Sequence, residues 1–130
     1  MRRILVVEDE FFLALRIHTL LEDADVEIVG PVGTLEEARK LANDETLDGA
    51  LLDVNIHGGR VDDVVEILRR HDVPFIFVTA NDADHLPPNC SRVRVVAKPF
   101  RDDDLLREVI RLTSEIIPRS SAFRPGLVLA

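Results

Sequence analysis

Residues 50–55 read ALLDVN. Ala50-Leu51-Leu52 has the composition of a strand buried on both faces. Asp53 follows at once and Asn55 comes two residues later. A carboxylate is expensive to bury unpaired. Such a strand either ends in solvent, with Asn55 opening a turn, or ends against a partner for Asp53. The stretch alone leaves both readings open.

The surroundings repeat the theme of an apolar run that stops at a polar residue. Ile4–Val7 is a first strand, followed by a helix over roughly 11–23 whose apolar residues fall at mostly helical spacing. Val26–Val29 is a second strand, closed by Gly30-Pro31. Thr34-Leu35-Glu36-Glu37 matches a capping box, with Thr34 as N-cap and Glu37 reaching back, and opens a helix to about Asn43. Ala50–Asp53 is the third strand. Val61, Val64, Val65 and Leu68 mark a third helix that ends before Pro74. Phe75–Thr79 is a fourth strand, rich in aromatic and β-branched residues. The stretch 81–92 contains Pro87 and Pro88, so any fourth helix there is short or loose. Val93–Ala97 is a fifth strand, and Leu105 to Ile117 carry a final helix stopped by Pro118.

Five alternations of strand and helix specify an α/β fold, a parallel sheet with helices on both faces. Ligands of such sheets bind at the carboxyl ends of the strands, where strand order reverses. Glu8, Asp9 and Glu10 follow the first strand, and Asp53 and Asn55 the third. Thr79-Ala80 end the fourth, and Lys98-Pro99 follow the fifth. Adjacent carboxylates repel and raise a pKa unless a cation intervenes. A hard divalent cation resolves this, because Mg²⁺ takes one or two carboxylates, keeps waters, and leaves positions for phosphate oxygens. Asp9 and Asp53 are then direct ligands, Glu8 holds a metal water, and the Asn55 backbone carbonyl completes the set. The competing reading of Glu8-Asp9-Glu10 is a solvated acidic turn favoured by the dipole of the first helix.

A metal beside a carboxylate points to phosphoryl transfer. Asp53 attacks a phosphoryl group and becomes an aspartyl phosphate. Lys98 and the metal neutralise the equatorial oxygens, Thr79 Oγ1 donates to one of them, and the small Ala80 admits the group.

Overall composition limits the alternatives. The 130 residues suffice for one domain with a real core, and 46% are hydrophobic. A net charge of −8 disfavours nucleic acid and anionic membrane surfaces. Cys90 is the single cysteine and cannot form an internal disulfide, and the apolar run after Arg2-Arg3 is too short for a signal peptide or membrane span. The expected location is cytoplasmic.

These motifs, Glu8-Asp9, Asp53, Thr79-Ala80 and Lys98-Pro99-Phe100, each after its strand, resemble the receiver domain of two-component response regulators. The resemblance covers about residues 2–117. It implies a flavodoxin-like (CheY-like) sheet in the order 2-1-3-4-5 and a cis Lys98-Pro99 bond. It implies transfer to Asp53 from the phosphohistidine of a sensor histidine kinase, dependence on Mg²⁺ (with Mn²⁺ or Ca²⁺ as substitutes), and slow self-catalysed hydrolysis rather than enzymatic turnover. Its output is a population shift in which Thr79 follows the phosphate. That shift acts on a downstream or phosphotransfer protein, or the domain serves as a phosphate sink.

Some positions depart from the family pattern. His57 stands where a proline is usual beyond the acceptor, followed by Gly58-Gly59, and Val95 stands in place of the switch aromatic. Residues 75–81 are similar to the "FAT GUY" subgroup, with Val78, Ala80 and Asn81 differing. The expectation is that residues 81–92 are mobile until phosphate and metal bind. The domain is expected at 1–117 and a tail at 118–130 with no output domain, the whole a monomer or weak dimer. The tail reads as a free end or, through Phe123 and Leu127-Val128-Leu129, as a docking segment. Two other functions compete with a phosphorylated receiver: an interaction module that switches without phosphate, and an aspartyl phosphohydrolase. The latter wants a second acid two residues past the nucleophile, where this chain has Asn55. No glycine-rich loop follows the first strand, which disfavours a flavin or nucleotide site.

Overall fold

The computed structural model describes residues 1–80 and 86–114. Strands β1 (Arg2–Val7), β2 (Val26–Val32), β3 (Gly49–Leu52), β6 (Phe75–Thr79) and β7 (Val95–Ala97) form one sheet in the order β2-β1-β3-β6-β7. Every pairing in it is parallel. Between β3 and β6 lies a two-stranded hairpin, β4 (Asn55–Ile56) with β5 (Gly59–Arg60). Without that hairpin, the strand order is the expected 2-1-3-4-5.

The central stretches of the strands are mostly apolar because both sheet faces are covered. Side chains alternate between the faces. Leu5, Val7, Leu52 and Phe77 pack with α2 (Leu35–Asp44) and α3 (Asp62–Arg70). Ile4, Val6, Leu51 and Ile76 pack with α1 (Phe11–Asp23) and α4 (Asp102–Ser114). On α2 the inward residues are Ala38 and Ala42, one turn apart, fully buried within the first of these clusters. The N-cap of α2 forms as expected: Glu37 N donates to Thr34 Oγ1 at 3.2 Å. The Glu37 carboxylate accepts from the Thr34 hydroxyl at 3.0 Å.

Several element boundaries differ from the expectation. Strand β2 does not close at Gly30-Pro31 but runs through a cis Gly30-Pro31 bond to Val32. A proline can be carried there because β2 is an edge strand and the pairing with β1 shifts register at that point. Gly30 is required at the shift, with φ +99° and room for no Cβ: one would lie 2.9 Å from Val32 N. Strand β7 begins at Val95 rather than Val93, because Val93 N donates to Cys90 O in a turn. The last strand residue before Asp53 is Leu52. Of the segment 81–92, residues 86–92 form turns and bends without a helix, whereas 81–85 lie outside the described residues. The tail 118–130 lies outside them too. No helix among the described residues is long and apolar enough to cross a membrane.

Candidate active site

Register places the site. Val7 pairs with Leu52, Leu52 with Phe77, and Thr79 with Ala97. Strands β1 and β3 end level with Phe77, β6 and β7 run two residues further, and the residues just beyond these ends share a small space. Asp53 N donates to Val7 O at 3.0 Å, and Lys98 N to Thr79 O at 3.0 Å, so the ladder continues one step past the strand ends. The extension of β2 contributes as well: Glu8 N donates to Val32 O at 2.9 Å, which fixes the turn carrying Glu8 and Asp9.

Lys98 Nζ donates to Asp53 Oδ2 at 2.7 Å. It also lies 2.7 Å from Glu8 Oε1. That second contact is an ion pair out of hydrogen-bond alignment, so Glu8 Oε1 is buried without an aligned donor. Glu8 Oε2 accepts from Glu10 N at 3.0 Å. Glu8 is 3% exposed and Asp53 7%. A solvated acidic turn would leave Glu8 in water, so that reading fails for Glu8. Glu10 does stand exposed as the N-cap of α1, with no side-chain cap bond.

Glu8, Asp9 and Asp53 each offer a carboxylate oxygen, and these oxygens lie within 4.8 Å of one another. One ammonium faces three carboxylates, and the cluster is short of positive charge. The pKa of Glu8 is raised, chiefly by burial, against the opposing pull of Lys98 and the Glu10 amide. Burial works against the Lys98 charge as well, but its bonds to Asp53 and Glu8 outweigh burial and raise its pKa. The donor set is all oxygen and partly buried. It fits a small hard divalent cation.

Thr79 is fully buried at the end of β6, and Ala80 beyond it is exposed. Ala80, Lys98 and Pro99 line a groove of about 500 Å³ together with Phe12 and Phe100. The Lys98-Pro99 bond is cis, as the resemblance implies. Phe100 is buried, with the Arg16 guanidinium 4.5 Å from its ring centroid. Asn55 is exposed in β4, its backbone paired with Arg60. Val95 is 38% exposed.

The His57 side chain is 78% exposed, yet Nδ1 stands 3.8 Å from Asp9 Oδ2. Sequence reading missed the part played by Val32 and Glu10, whose contributions are backbone atoms without a residue signature. It also missed the hairpin, although Gly58-Gly59, both at positive φ, are its turn signal.

A parallel doubly wound sheet with an acid cluster and a lysine at its carboxyl edge defines a phosphoacceptor module. The model of the response regulator receiver domain family matches residues 4–110, and the chain belongs to that family. Receiver domains are phosphoacceptors rather than turnover enzymes, and they bind Mg²⁺ at this acidic site. The phyllosphere-induced regulator PhyR of Methylorubrum extorquens is 31% identical over 75% of this chain and 38% of its own length. The chain spans less than two thirds of the curated relatives it matches. The solution structure of SdrG from Sphingomonas melonis superposes with a TM-score of 0.74 at 34% identity, covering 86% of this chain and 96% of that one. The receiver domain of the sensor histidine kinase PA1611 from Pseudomonas aeruginosa shares the fold, with a TM-score of 0.76 at 23% identity. The match covers 88% of this chain and 98% of that one, which was solved with a magnesium ion in its active-site cleft.

Proposed function

We propose that Asp53 accepts a phosphoryl group from the phosphohistidine of a sensor histidine kinase, and that the resulting state is passed on by protein contact or drained as a phosphate sink. An Asp53 oxygen forms the bond to phosphorus while the phosphorus–nitrogen bond to the donor imidazole breaks. Lys98 holds Asp53 in place and then faces the charge that builds on the transferred oxygens. Thr79 Oγ1 donates to one of those oxygens, and Ala80 and Pro99 leave the space they occupy. Glu8, Asp9, Asp53 and the Asn55 carbonyl would hold Mg²⁺, or Mn²⁺ or Ca²⁺ in its place. When bound, the ion neutralises the carboxylates and polarises the phosphoryl oxygens. With Asn55 two residues past the acceptor, no acid stands there to speed hydrolysis, so the phosphorylated state decays slowly. The observation that carries this reading is the shared 2.7 Å approach of Lys98 to Asp53 and Glu8.

The test is amide NMR of the protein with beryllium fluoride and Mg²⁺, beside Asp53→Asn. Shifts at Thr79, Ala80 and Lys98 in the wild type alone support the reading. An unchanged wild-type spectrum points instead to a module that switches without phosphate.

A further inference from the structure

At the opposite edge of the sheet from Asp53, where β6 begins and α4 ends, lies a second cavity of about 270 Å³. Its rim carries Arg69, Arg92, Arg94 and Arg111, and its apolar lining includes Phe75, Val93 and Leu112. This concentration of guanidinium groups stands out in a chain of net charge −8. The one carboxylate in the lining, among the described residues, is Glu108. Arg94 grips it with two hydrogen bonds, one of them 2.8 Å from Nη2 to Oε2, and Arg111 Nε stands 3.8 Å from it. Arg69 spends its donors on the carbonyls of Pro88 and Asn89 and on Cys90 Sγ, and no carboxylate among the described residues forms an ion pair with it. Arg92 is exposed and has no ion-pair partner among the described residues. Four guanidinium groups thus face one carboxylate.

We infer that this cavity is a binding site for a small organic phosphate, a phosphate monoester with an apolar or aromatic body. Guanidinium forks match phosphate oxygens bidentately, and a dianion suits the excess of guanidinium over carboxylate groups among the described residues of the lining. The lining explains why an organic phosphate fits better than the bare ion. Phe75 is half-buried, with the Arg69 guanidinium 5.8 Å from its ring centroid, and Leu112 and Val93 extend the apolar surface beneath the rim. The volume admits a small metabolite.

The experiment is an amide NMR titration of the full chain carrying Asp53→Asn, in EDTA without divalent cation, so that the acid cluster takes no phosphate. The probes are adenosine 5′-monophosphate and inorganic phosphate. Saturable shifts at Phe75, Arg69, Arg92 and Arg111 are expected, tighter for the nucleotide. The double variant Arg92→Gln/Arg111→Gln should bind at least about tenfold more weakly. Both side chains are exposed, so the variant folds, which its dispersed spectrum verifies. No saturable shift, shifts unaffected by the double variant, or equal affinity for the two probes each overturns the assignment.

Discussion

Lys98 Nζ donates to Asp53 Oδ2 at 2.7 Å, joining two residues 45 apart in sequence at the ends of two strands separated by β6. Among the described residues, the same ammonium is the only cation to approach Glu8, Asp9 or Asp53 as closely as 2.7 Å. A site built this way holds more negative charge than its own residues balance, and that imbalance governs its behaviour.

Asp9 is the carboxylate of the cluster that Lys98 does not approach. Without metal, Asp9→Asn removes repulsion and stabilises the protein by roughly 0.5–1 kcal/mol. Adding Mg²⁺ reverses the order, since an ion that binds the folded state alone adds stability with its concentration. Urea midpoints of both proteins with EDTA and with Mg²⁺ measure this. A variant less stable than wild type in EDTA contradicts it.

Glu8 titrates above its ordinary value of 4.5, because burial disfavours its charged form. The folded state therefore holds this proton more tightly than the unfolded chain does. Its contribution to stability is full below the unfolded value and is lost as pH rises through the folded one. In metal-free protein, Glu8→Gln should flatten that decline, seen as a smaller loss of unfolding free energy from pH 4 upward than in wild type. Parallel profiles would show that Glu8 is not the group responsible.

Glu108 behaves in the opposite sense. Its hydrogen bonds with Arg94 hold its pKa below 4.5, so the pair stabilises above the unfolded carboxylate value and the gain is lost as pH falls through the folded one. Arg94 is about half exposed, and Glu108→Gln should cost only roughly 0.5–1 kcal/mol at neutral pH. The difference should vanish in acid, as followed by thermal melts across pH.

Gly30→Ala places a Cβ 2.9 Å from Val32 N and 3.0 Å from Val6 O, at a φ of +99°. A cost of roughly 1–3 kcal/mol is expected. Because Val32 O receives Glu8 N, the variant should also weaken Mg²⁺ binding, which titration of the folded variant would detect. Unchanged metal affinity would separate the edge strand from the site.

Most of this arrangement was legible in the sequence because a parallel sheet writes its strands as unbroken apolar runs. Val7, Leu52, Thr79 and Ala97 end those runs, and the polar residues that follow had to converge. The passage of β2 through Gly30-Pro31 was hidden, since those residues read as punctuation and only edge position and a register shift admit them. Strands β4 and β5, of two residues each, are too short to show any period. The arginine rim was equally invisible, because Arg69, Arg92, Arg94 and Arg111 come from separate elements that only the fold brings together.

The most direct test of the phosphoacceptor reading is intact mass spectrometry after incubation with acetyl phosphate and Mg²⁺. One phosphoryl adduct is predicted on the wild-type protein, absent from Asp53→Asn and absent when EDTA replaces Mg²⁺. An adduct of equal yield on Asp53→Asn, or none on folded wild-type protein that binds Mg²⁺, would contradict the assignment of Asp53.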